Sequence, residues 1–266
     1  MKILILAEDT APDDGIMECE HGFSAFVEFK GKSLLFDTGQ SGMFIRNAEK
    51  QGLDLTKTDF VVISHGHYDH TGGLPDLLNG CDTGHMTFVA NPGIFNKKLH
   101  GSRENIGCPI GRREVEAAFG NCIFTTEAVE FSPGIVFLGE VPRIYEDPGT
   151  CACHIQDGNT VPDPVKDDSA LVFRTDKGVV LLTGCSHSGI LNLAREACNY
   201  GRIYSLTGGF HLTGADEKRI NSVISGLNSM GISELRPGHC TGEHALERME
   251  EELGAKRITT GESIEL

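Results

Sequence analysis

The chain has 266 residues and a formal net charge of −15, from 38 acidic and 23 basic residues. Such an excess of carboxylates repels phosphate backbones, which argues against nucleic acid as the main partner. No apolar run approaches the length of a membrane span and nothing resembles an interdomain linker, so we expect a cytoplasmic protein without a membrane partner, built as a single domain over residues 1–266.

Apolar, β-branched runs bounded by turn residues predict strands in the first two thirds of the chain. They lie at 2–7, 24–29, 33–36, 60–64, 87–90, 135–138, 170–174 and 179–183. Helical periodicity predicts helices at 44–51, 112–119, 190–200, 216–230 and 244–253. The first half is rich in strands and the second half alternates strand and helix. An αββα sandwich, with two mixed sheets flanked by helices, accommodates both halves.

The window from His65 to His70 reads His-Gly-His-Tyr-Asp-His and offers four potential metal ligands. It follows an apolar run that predicts a buried strand. Residues two apart beyond a strand end tend to face the same side, so His65 and His67 can share one ion. Asp69 and His70 follow where the chain turns towards a short helix, and they can face a second ion. Imidazole and carboxylate ligands suit zinc and also manganese or iron.

This motif after a hydrophobic strand resembles that of the metallo-β-lactamase superfamily, and the resemblance covers the whole chain. It implies the αββα fold and a centre of two divalent metal ions, with zinc expected first and iron or manganese as alternatives. The segment 33–39 resembles the first motif of the superfamily, in which Asp37 would orient a ligand rather than bind metal itself. The alternative for Asp37 is a turn residue before Gly39.

Three later segments place polar residues at strand ends, where open α/β sites are usually built. Cys185 stands where many superfamily members have an aspartate that touches the second metal, and a buried structural thiol is the alternative. His239 occupies the place of the final superfamily histidine, a ligand of the second site. For the first site, either Asp168 replaces the usual third histidine or His187 supplies it. We prefer His187 because imidazole donors dominate the rest of the site.

Asp69 and His211 are the predicted catalytic residues, with His211 in the pocket as a proton donor or phosphate contact rather than a ligand. The stretch around 91–168 has an irregular pattern with many Gly, Pro and Cys residues, which predicts an insertion that covers the substrate. Its basic residues are the candidates for a phosphate grip, and solvated surface charge is the alternative. They are Lys97, Lys98, Arg103, Arg112, Arg113 and Arg143, of which we select Arg112, Arg113 and Arg143.

The nine cysteines are an odd number, so a complete internal disulfide framework is impossible. In a cytosolic chain they are more typical of buried thiols or ligands. The run Cys151-Ala152-Cys153-His154 lacks the spacing and the second half of a structural zinc site. We therefore expect packing or exposure for these residues.

Paired divalent ions acidify a bound water and polarise phosphoryl or carbonyl oxygens, so the metal motif alone predicts a hydrolase. The flanking segments favour a narrower interpretation, because they resemble one branch of the superfamily; they are 20–22, 139–143, 167–171, 183–190, 208–212 and 239–242. That branch is typified by 7,8-dihydropterin-6-methyl-4-(β-D-ribofuranosyl)-aminobenzene-5'-phosphate synthase of methanopterin biosynthesis. The resemblance implies a small phosphorylated substrate and a transferase that releases pyrophosphate. The alternatives are a metal-dependent hydrolase of phosphodiesters or other esters and a non-catalytic metal or ligand sensor.

Overall fold

The structure is a computed structural model that describes residues 1–100, 104–146, 152–156 and 159–266. Arg103 and Cys151, both singled out in the sequence, lie outside these residues, as do the side chains of Cys153 and His154. Among the helices of the described ranges, none has the length and apolar character needed to cross a membrane.

The strands follow one another along the chain with bounds close to those predicted. In chain order they are Lys2–Ala7 (β1), Ser24–Phe29 (β2), Lys32–Phe36 (β3), Phe60–Ile63 (β4), Thr87–Ala90 (β5), Leu99–His100 (β6), Glu104–Asn105 (β7), Asn121–Phe124 (β8), Val129–Ser132 (β9), Ile135–Phe137 (β10), Ala152–Gln156 (β11), Asn159–Pro162 (β12), Ala170–Thr175 (β13), Gly178–Thr183 (β14), Ile203–Gly209 (β15), Glu234–Gly238 (β16) and Ser263–Glu265 (β17). Every predicted strand is present to within one residue at each end.

The five predicted helices are also present, together with two short ones after β4. The helices are Met43–Lys50 (α1), Tyr68–Thr71 (α2), Leu74–Gly80 (α3), Arg112–Ala118 (α4), Ile190–Ala197 (α5), Glu217–Met230 (α6) and Glu243–Leu253 (α7), and 3-10 turns lie at Leu55–Lys57, Pro92–Phe95, Cys198–Tyr200 and His239–Thr241. Helix α6 begins where predicted because the Asp216 side chain accepts a hydrogen bond from the Arg219 amide at 2.9 Å.

The chain forms two compact units. The first unit comprises Met1–Thr126, Gly149–Asp167 and Thr259–Leu266, and the second comprises Glu127–Pro148 and Asp168–Ile258. The expectation of a single domain stays a prediction.

The first unit contains a mixed seven-stranded sheet in the order β17-β1-β2-β3-β4-β5-β8. Strands β17, β1, β2 and β3 pair antiparallel, whereas β3, β4, β5 and β8 pair parallel. The apolar side chains of these parallel strands pack with helices α1, α3 and α4 in one core, which includes Leu35, Val61, Ile63, Phe88 and Val115. This burial fixes the end of β4, where the histidine-rich loop begins.

The second unit contains a mixed six-stranded sheet in the order β16-β15-β14-β13-β10-β9. Strands β14, β15 and β16 are parallel and are joined through α5 and α6. Two crossovers of this kind bring the carboxyl ends of the three strands to one edge of the sheet. The core beneath them includes Leu181, Leu193, Leu206, Ile220 and Met249.

The segment 91–168 is more regular than its sequence pattern suggests. It contributes β8 to the first sheet and β9 and β10 to the second, and a separate four-stranded sheet has the order β12-β11-β6-β7. Except for β10, which the sequence predicts at 135–138, these strands were not predicted, because each is only two to five residues long and gives a weak periodic signal. Strands β15 and β16 were not predicted either. Glycine and proline interrupt the carboxyl ends of these two strands and weaken the strand pattern.

Candidate metal centre

Three imidazole rings gather directly after β4, two of them in the loop and the third, His70, in α2. His65 and His70 are fully buried, and His67 is 6% exposed. The Nε2 atom of His65 lies 3.1 Å from the Nδ1 atom of His67, and the ring centroids of His65 and His70 are 4.2 Å apart. Burial lowers the pKa of His67 to about 4, so this imidazole is neutral at pH 7. Neutral nitrogens at these separations are suited to a shared divalent ion.

Asp37 holds the third of these rings in place. Its Oδ2 atom accepts hydrogen bonds from His70 Nδ1 and from the Ser64 hydroxyl, both at 2.7 Å, and its Oδ1 atom accepts from the Ser64 amide at 2.7 Å. Since a carboxylate only accepts hydrogen bonds, the neutral His70 ring carries its proton on Nδ1. The Nε2 atom is then unprotonated, and its lone pair is available to a metal ion. This contact is the kind expected of a residue that orients a metal ligand.

Asp69 lies in the first turn of α2 rather than in a turn before a helix, because that helix begins at Tyr68 directly after His67. Its Oδ2 atom is 3.4 Å from His21 Nε2 and 3.6 Å from His70 Nε2. His21 was not among the predicted site residues. A lone histidine more than thirty positions before the motif offers no ligand spacing to detect.

A buried ion pair fixes the backbone between His65 and His67. The Gly66 amide donates to Asp167 Oδ2 at 2.8 Å, and Lys98 Nζ donates to Asp167 Oδ1 at 2.6 Å. A side chain at Gly66 would overlap the carbonyl of Ile94. Lys98 is only 1% exposed, and its contact with a phosphate stays a prediction. Its ammonium group neutralises a carboxylate that supports the histidine loop.

The second unit brings another group of ligand atoms together at the ends of β14, β15 and β16. Cys185 is 3% exposed, and its Sγ atom lies 3.2 Å from His239 Nε2. The rings of His187 and His211 have centroids 4.2 Å apart. Thiolate and imidazole donors in such contact form a typical zinc or iron environment.

Cys240 is a member of this group that the sequence analysis missed. The ligand atoms of Cys185, His211 and Cys240 all lie within 4.8 Å of one another. Burial raises the pKa of Cys240, but the hydrogen bond with Cys185 and the positive charges of His239 and His211 outweigh it and hold the pKa well below its ordinary value. Adjacent residues of a strand face opposite sides, so a strand at this position would not direct Cys240 and His239 to the same site. The structure has a 3-10 turn at His239–Thr241 instead of a strand, so that alternation does not apply.

Asp168 is fully buried beside the loop that carries His187. Its Oδ2 atom accepts a hydrogen bond from the Ser188 amide at 2.7 Å. Burial raises the pKa of Asp168 to about 6, although the bonds to Ser188 and the positive charge of Arg143 lower it. The choice between Asp168 and His187 as a ligand stays a prediction, but this contact assigns Asp168 a part in positioning the loop.

Arg112 and Arg113 belong to the first unit and Arg143 to the second. Arg112 bonds Glu116 through Nε at 2.8 Å, and its guanidinium carbon lies 4.5 Å from the centre of the Phe124 ring. Arg113 is exposed on the same helix, and Arg143 is exposed in the second unit. Their contact with a phosphate stays a prediction.

A cleft of about 510 Å³ in the second unit offers basic groups that the sequence analysis did not select. Lys218 and Arg219 belong to a regular helical pattern, which favours the interpretation of solvated charge. The lining combines them with apolar and polar side chains, among them Tyr145, Asn192, Phe210 and Leu212. This mixture is typical of small-molecule sites.

The chemistry of both groups of donors fits divalent metal ions. The first unit supplies imidazoles and a carboxylate, with a carboxylate behind His70, and the second supplies thiols and imidazoles. Buried polar groups of this density are costly unless they are paired or coordinate a metal. Each unit therefore groups several of the predicted ligands, and their division between two metal ions stays a prediction.

Comparison with known proteins agrees with this assignment. The profile of the metallo-beta-lactamase superfamily matches residues 17–190, and the chain belongs to this superfamily. Its sequence is 30% identical to 7,8-dihydropterin-6-methyl-4-(beta-D-ribofuranosyl)-aminobenzene-5'-phosphate synthase from Methanocaldococcus jannaschii, over 95% of this chain and 92% of the relative. The predicted fold class and the resemblance to this branch are both confirmed.

Two solved structures extend the comparison. A metal-dependent hydrolase of the beta-lactamase superfamily superposes with a TM-score of 0.87 at 31% identity, over 100% of this chain and 99% of that one. Zinc-bound PqqB from Methylobacterium extorquens superposes with a TM-score of 0.61 at 15% identity over the full length of both chains, which shows a shared fold.

Proposed function

We propose that the protein is a dinuclear-metal enzyme that transfers a dihydropterin-methyl group from its pyrophosphate to a phosphorylated aminobenzene. The observation that carries this proposal is the 30% identity to the synthase, which extends over nearly the whole of both chains. Similarity over a full chain includes the segments around the metal centre and is not limited to the fold. The proposal also agrees with the branch resemblance of the flanking motifs.

The proposed ligands form two sets, one for each ion: His65, His67 and His187 for the first, and Asp69, His70, Cys185 and His239 for the second. Contacts within each unit support these sets, namely the 3.1 Å separation of His65 and His67 and the 3.2 Å separation of Cys185 and His239. Zinc is the proposed metal, with iron or manganese as alternatives. Bound divalent ions would neutralise the charge that develops on the departing pyrophosphate.

The protein itself would orient the ligands and the substrate. Asp37 fixes His70 and Asp168 fixes the loop before α5 through the bonds described above. Arg112, Arg113 and Arg143 are the proposed phosphate contacts. Of these, Arg143 carries a positive charge that lowers the pKa of Asp168, and this effect supports its choice as a contact near the loop that carries His187.

A second candidate is a metal-dependent hydrolase of phosphodiesters or other esters. It is favoured by the superposition with a metal-dependent hydrolase at 31% identity. The same ions would serve both reactions, because either one requires a charged leaving group to be neutralised. The two candidates differ in whether an aromatic amine or water accepts the transferred group.

The deciding experiment supplies both kinds of substrate to protein loaded with zinc, iron or manganese. We expect mass spectrometry to detect the coupled pterin-aminobenzene product and pyrophosphate, and we expect His67→Ala to abolish both. Hydrolysed pterin or cleaved phosphodiester without a coupled product would identify a hydrolase. Bound metal with no turnover of any substrate would instead indicate a sensor.

A further inference from the structure

Cys240 and His211 have no role in the proposed ligand sets, although both approach Cys185. The ligand atoms of these three residues lie within 4.8 Å of one another. In a tetrahedral zinc site with bonds of about 2.0–2.3 Å, neighbouring donor atoms lie about 3.3–3.8 Å apart. Since each separation here is at most 4.8 Å, an inward movement of about 1 Å or less would let the three atoms surround one ion.

Hydrogen bonds between backbone segments fix the relative positions of these residues. The Leu212 and Thr213 amides donate to the Cys240 carbonyl at 3.0 and 3.1 Å, which ties the loop after His211 to the turn containing Cys240. The Gly209 amide donates to the Gly184 carbonyl at 2.9 Å, beside Cys185. The three donors are therefore carried by a rigid scaffold, as a preorganised metal site requires.

Gly209 provides the space that the Cys240 sulfur occupies. A Cβ atom at this position would lie 2.7 Å from Cys240 Sγ and 2.5 Å from the Gly184 carbonyl oxygen. The sulfur thus lies over a backbone without a side chain, directed towards Cys185, whose carbonyl oxygen is 3.4 Å away. A purely structural thiol would need neither this close approach nor a neighbouring imidazole.

We propose that Cys240 and His211 join Cys185 as ligands of one metal ion, in a thiolate-rich site for a borderline ion such as Zn²⁺, Fe²⁺ or Co²⁺. This inference rests on the proposed function in that Cys185 already serves as a ligand there. It gives His211 a ligand role in place of the predicted proton transfer. Two thiolates and an imidazole favour such ions over Mg²⁺ or Mn²⁺, which prefer oxygen ligands.

Cobalt substitution tests the number of thiolates directly, without an activity assay. Metal-free protein is titrated with Co²⁺, and the thiolate-to-cobalt charge-transfer absorption in the near ultraviolet is recorded. We expect Cys240→Ser and Cys185→Ser each to remove about half of this absorption, since one of two thiolates is lost in each variant. Cys198→Ser changes an exposed thiol and is the matched control, which we expect to retain the full band.

The outcomes separate this inference from the proposed function. A full charge-transfer band in Cys240→Ser would show that Cys240 only donates a hydrogen bond, as serine can, and would overturn the inference. If Cys240→Ser failed to fold, the Cys185→Ser variant alone would decide. Complete loss of the absorption in that variant would show that Cys185 is the only thiolate ligand and would overturn the inference. Failure to bind Co²⁺ or Zn²⁺ in the unmodified protein would instead refute the proposed metal enzyme.

Discussion

At the scale of single residues, backbone strain is concentrated around the candidate ligands. Asp37, Ser186, His211 and His239 all have left-handed backbone conformations, with φ between 47° and 63°. Such conformations are unfavourable for residues with side chains and persist where surrounding contacts enforce them. Their location at the ends of the strands that bear ligands supports a functional origin for the strain.

Replacing Asp37 by Asn tests the support behind His70. An amide cannot accept all three hydrogen bonds that the carboxylate now receives, so His70 would lose its fixed tautomer. We expect the affinity for zinc to fall by about 10–100-fold, measured by competition with a chromogenic chelator. Asp59→Asn, at a surface ion pair with Lys32, is the control. Equal zinc affinity in the two variants would contradict the orienting role.

His67 makes the metal-free protein sensitive to acid. Its folded pKa of about 4 lies below the ordinary value of 6.5 because the ring is buried. Between these values the unfolded chain binds a proton that the folded chain does not, so stability is complete above pH 6.5 and falls until pH 4. The loss should reach roughly 3 kcal/mol at pH 4.

Urea unfolding in the presence of a chelator, at pH values from 7 to 4, measures this dependence. His67→Asn should show a flatter profile than the unmodified protein. His85→Asn, at an exposed histidine, provides the comparison. Parallel profiles for all three proteins would mean that His67 does not carry the effect.

At the scale of elements, the loop after β4 is held by residues from distant parts of the first unit. The Tyr68 amide donates to the Ile106 carbonyl at 2.9 Å, and His67 forms a backbone bridge with Gly107. With the bond from Gly66 to Asp167, these contacts fix the loop on both sides. The segment 91–168 therefore supports the loop after β4, and its role in covering the substrate stays a prediction.

Lys98→Met removes the cation from this support. Asp167 and Asp163 are both nearly buried, and Lys98 lies 2.6 and 3.4 Å from their oxygens. Leaving these carboxylates without a counter-charge should cost about 3–5 kcal/mol in the free energy of unfolding at pH 7. We also expect weaker zinc binding, because the Gly66 amide would lose its fixed acceptor.

The matched control is Lys97→Met, which changes an exposed lysine at the adjacent position. Denaturant unfolding and zinc titration are compared for the two variants. Should Lys98→Met be too unstable to purify, Asp167→Asn tests the same contact with Gly66. Indistinguishable stability of both lysine variants would show that the buried pair contributes little.

At the scale of the whole molecule, charge determines which partners can approach. A net charge of −15 on 266 residues produces a repulsive field towards polyanions. We predict that local cations such as Arg143, Lys218 or Arg219 attract a small phosphorylated substrate instead. On this prediction the molecule binds a phosphorylated metabolite and rejects nucleic acid.

We accordingly expect no binding of tRNA by micromolar protein at about 0.15 M salt, where basic proteins still bind nonspecifically. A gel-shift assay with zinc-loaded protein measures this, with a basic protein of similar mass as the positive control. A retarded tRNA band that disappears on adding salt would contradict the prediction and would indicate a basic surface stronger than the net charge implies.

The sequence by itself determined the strands, the main helices and the histidine motif, because periodicity and ligand spacing are local properties. It also predicted roles for Asp37 and Cys185, since each follows a recognisable strand. The tertiary structure decided the contacts of Lys98 and Cys240. Lys98 meets Asp167 across 69 positions, and Cys240 meets Cys185 across 55. Such pairs arise only when sheets bring distant strand ends together, and no local pattern encodes them.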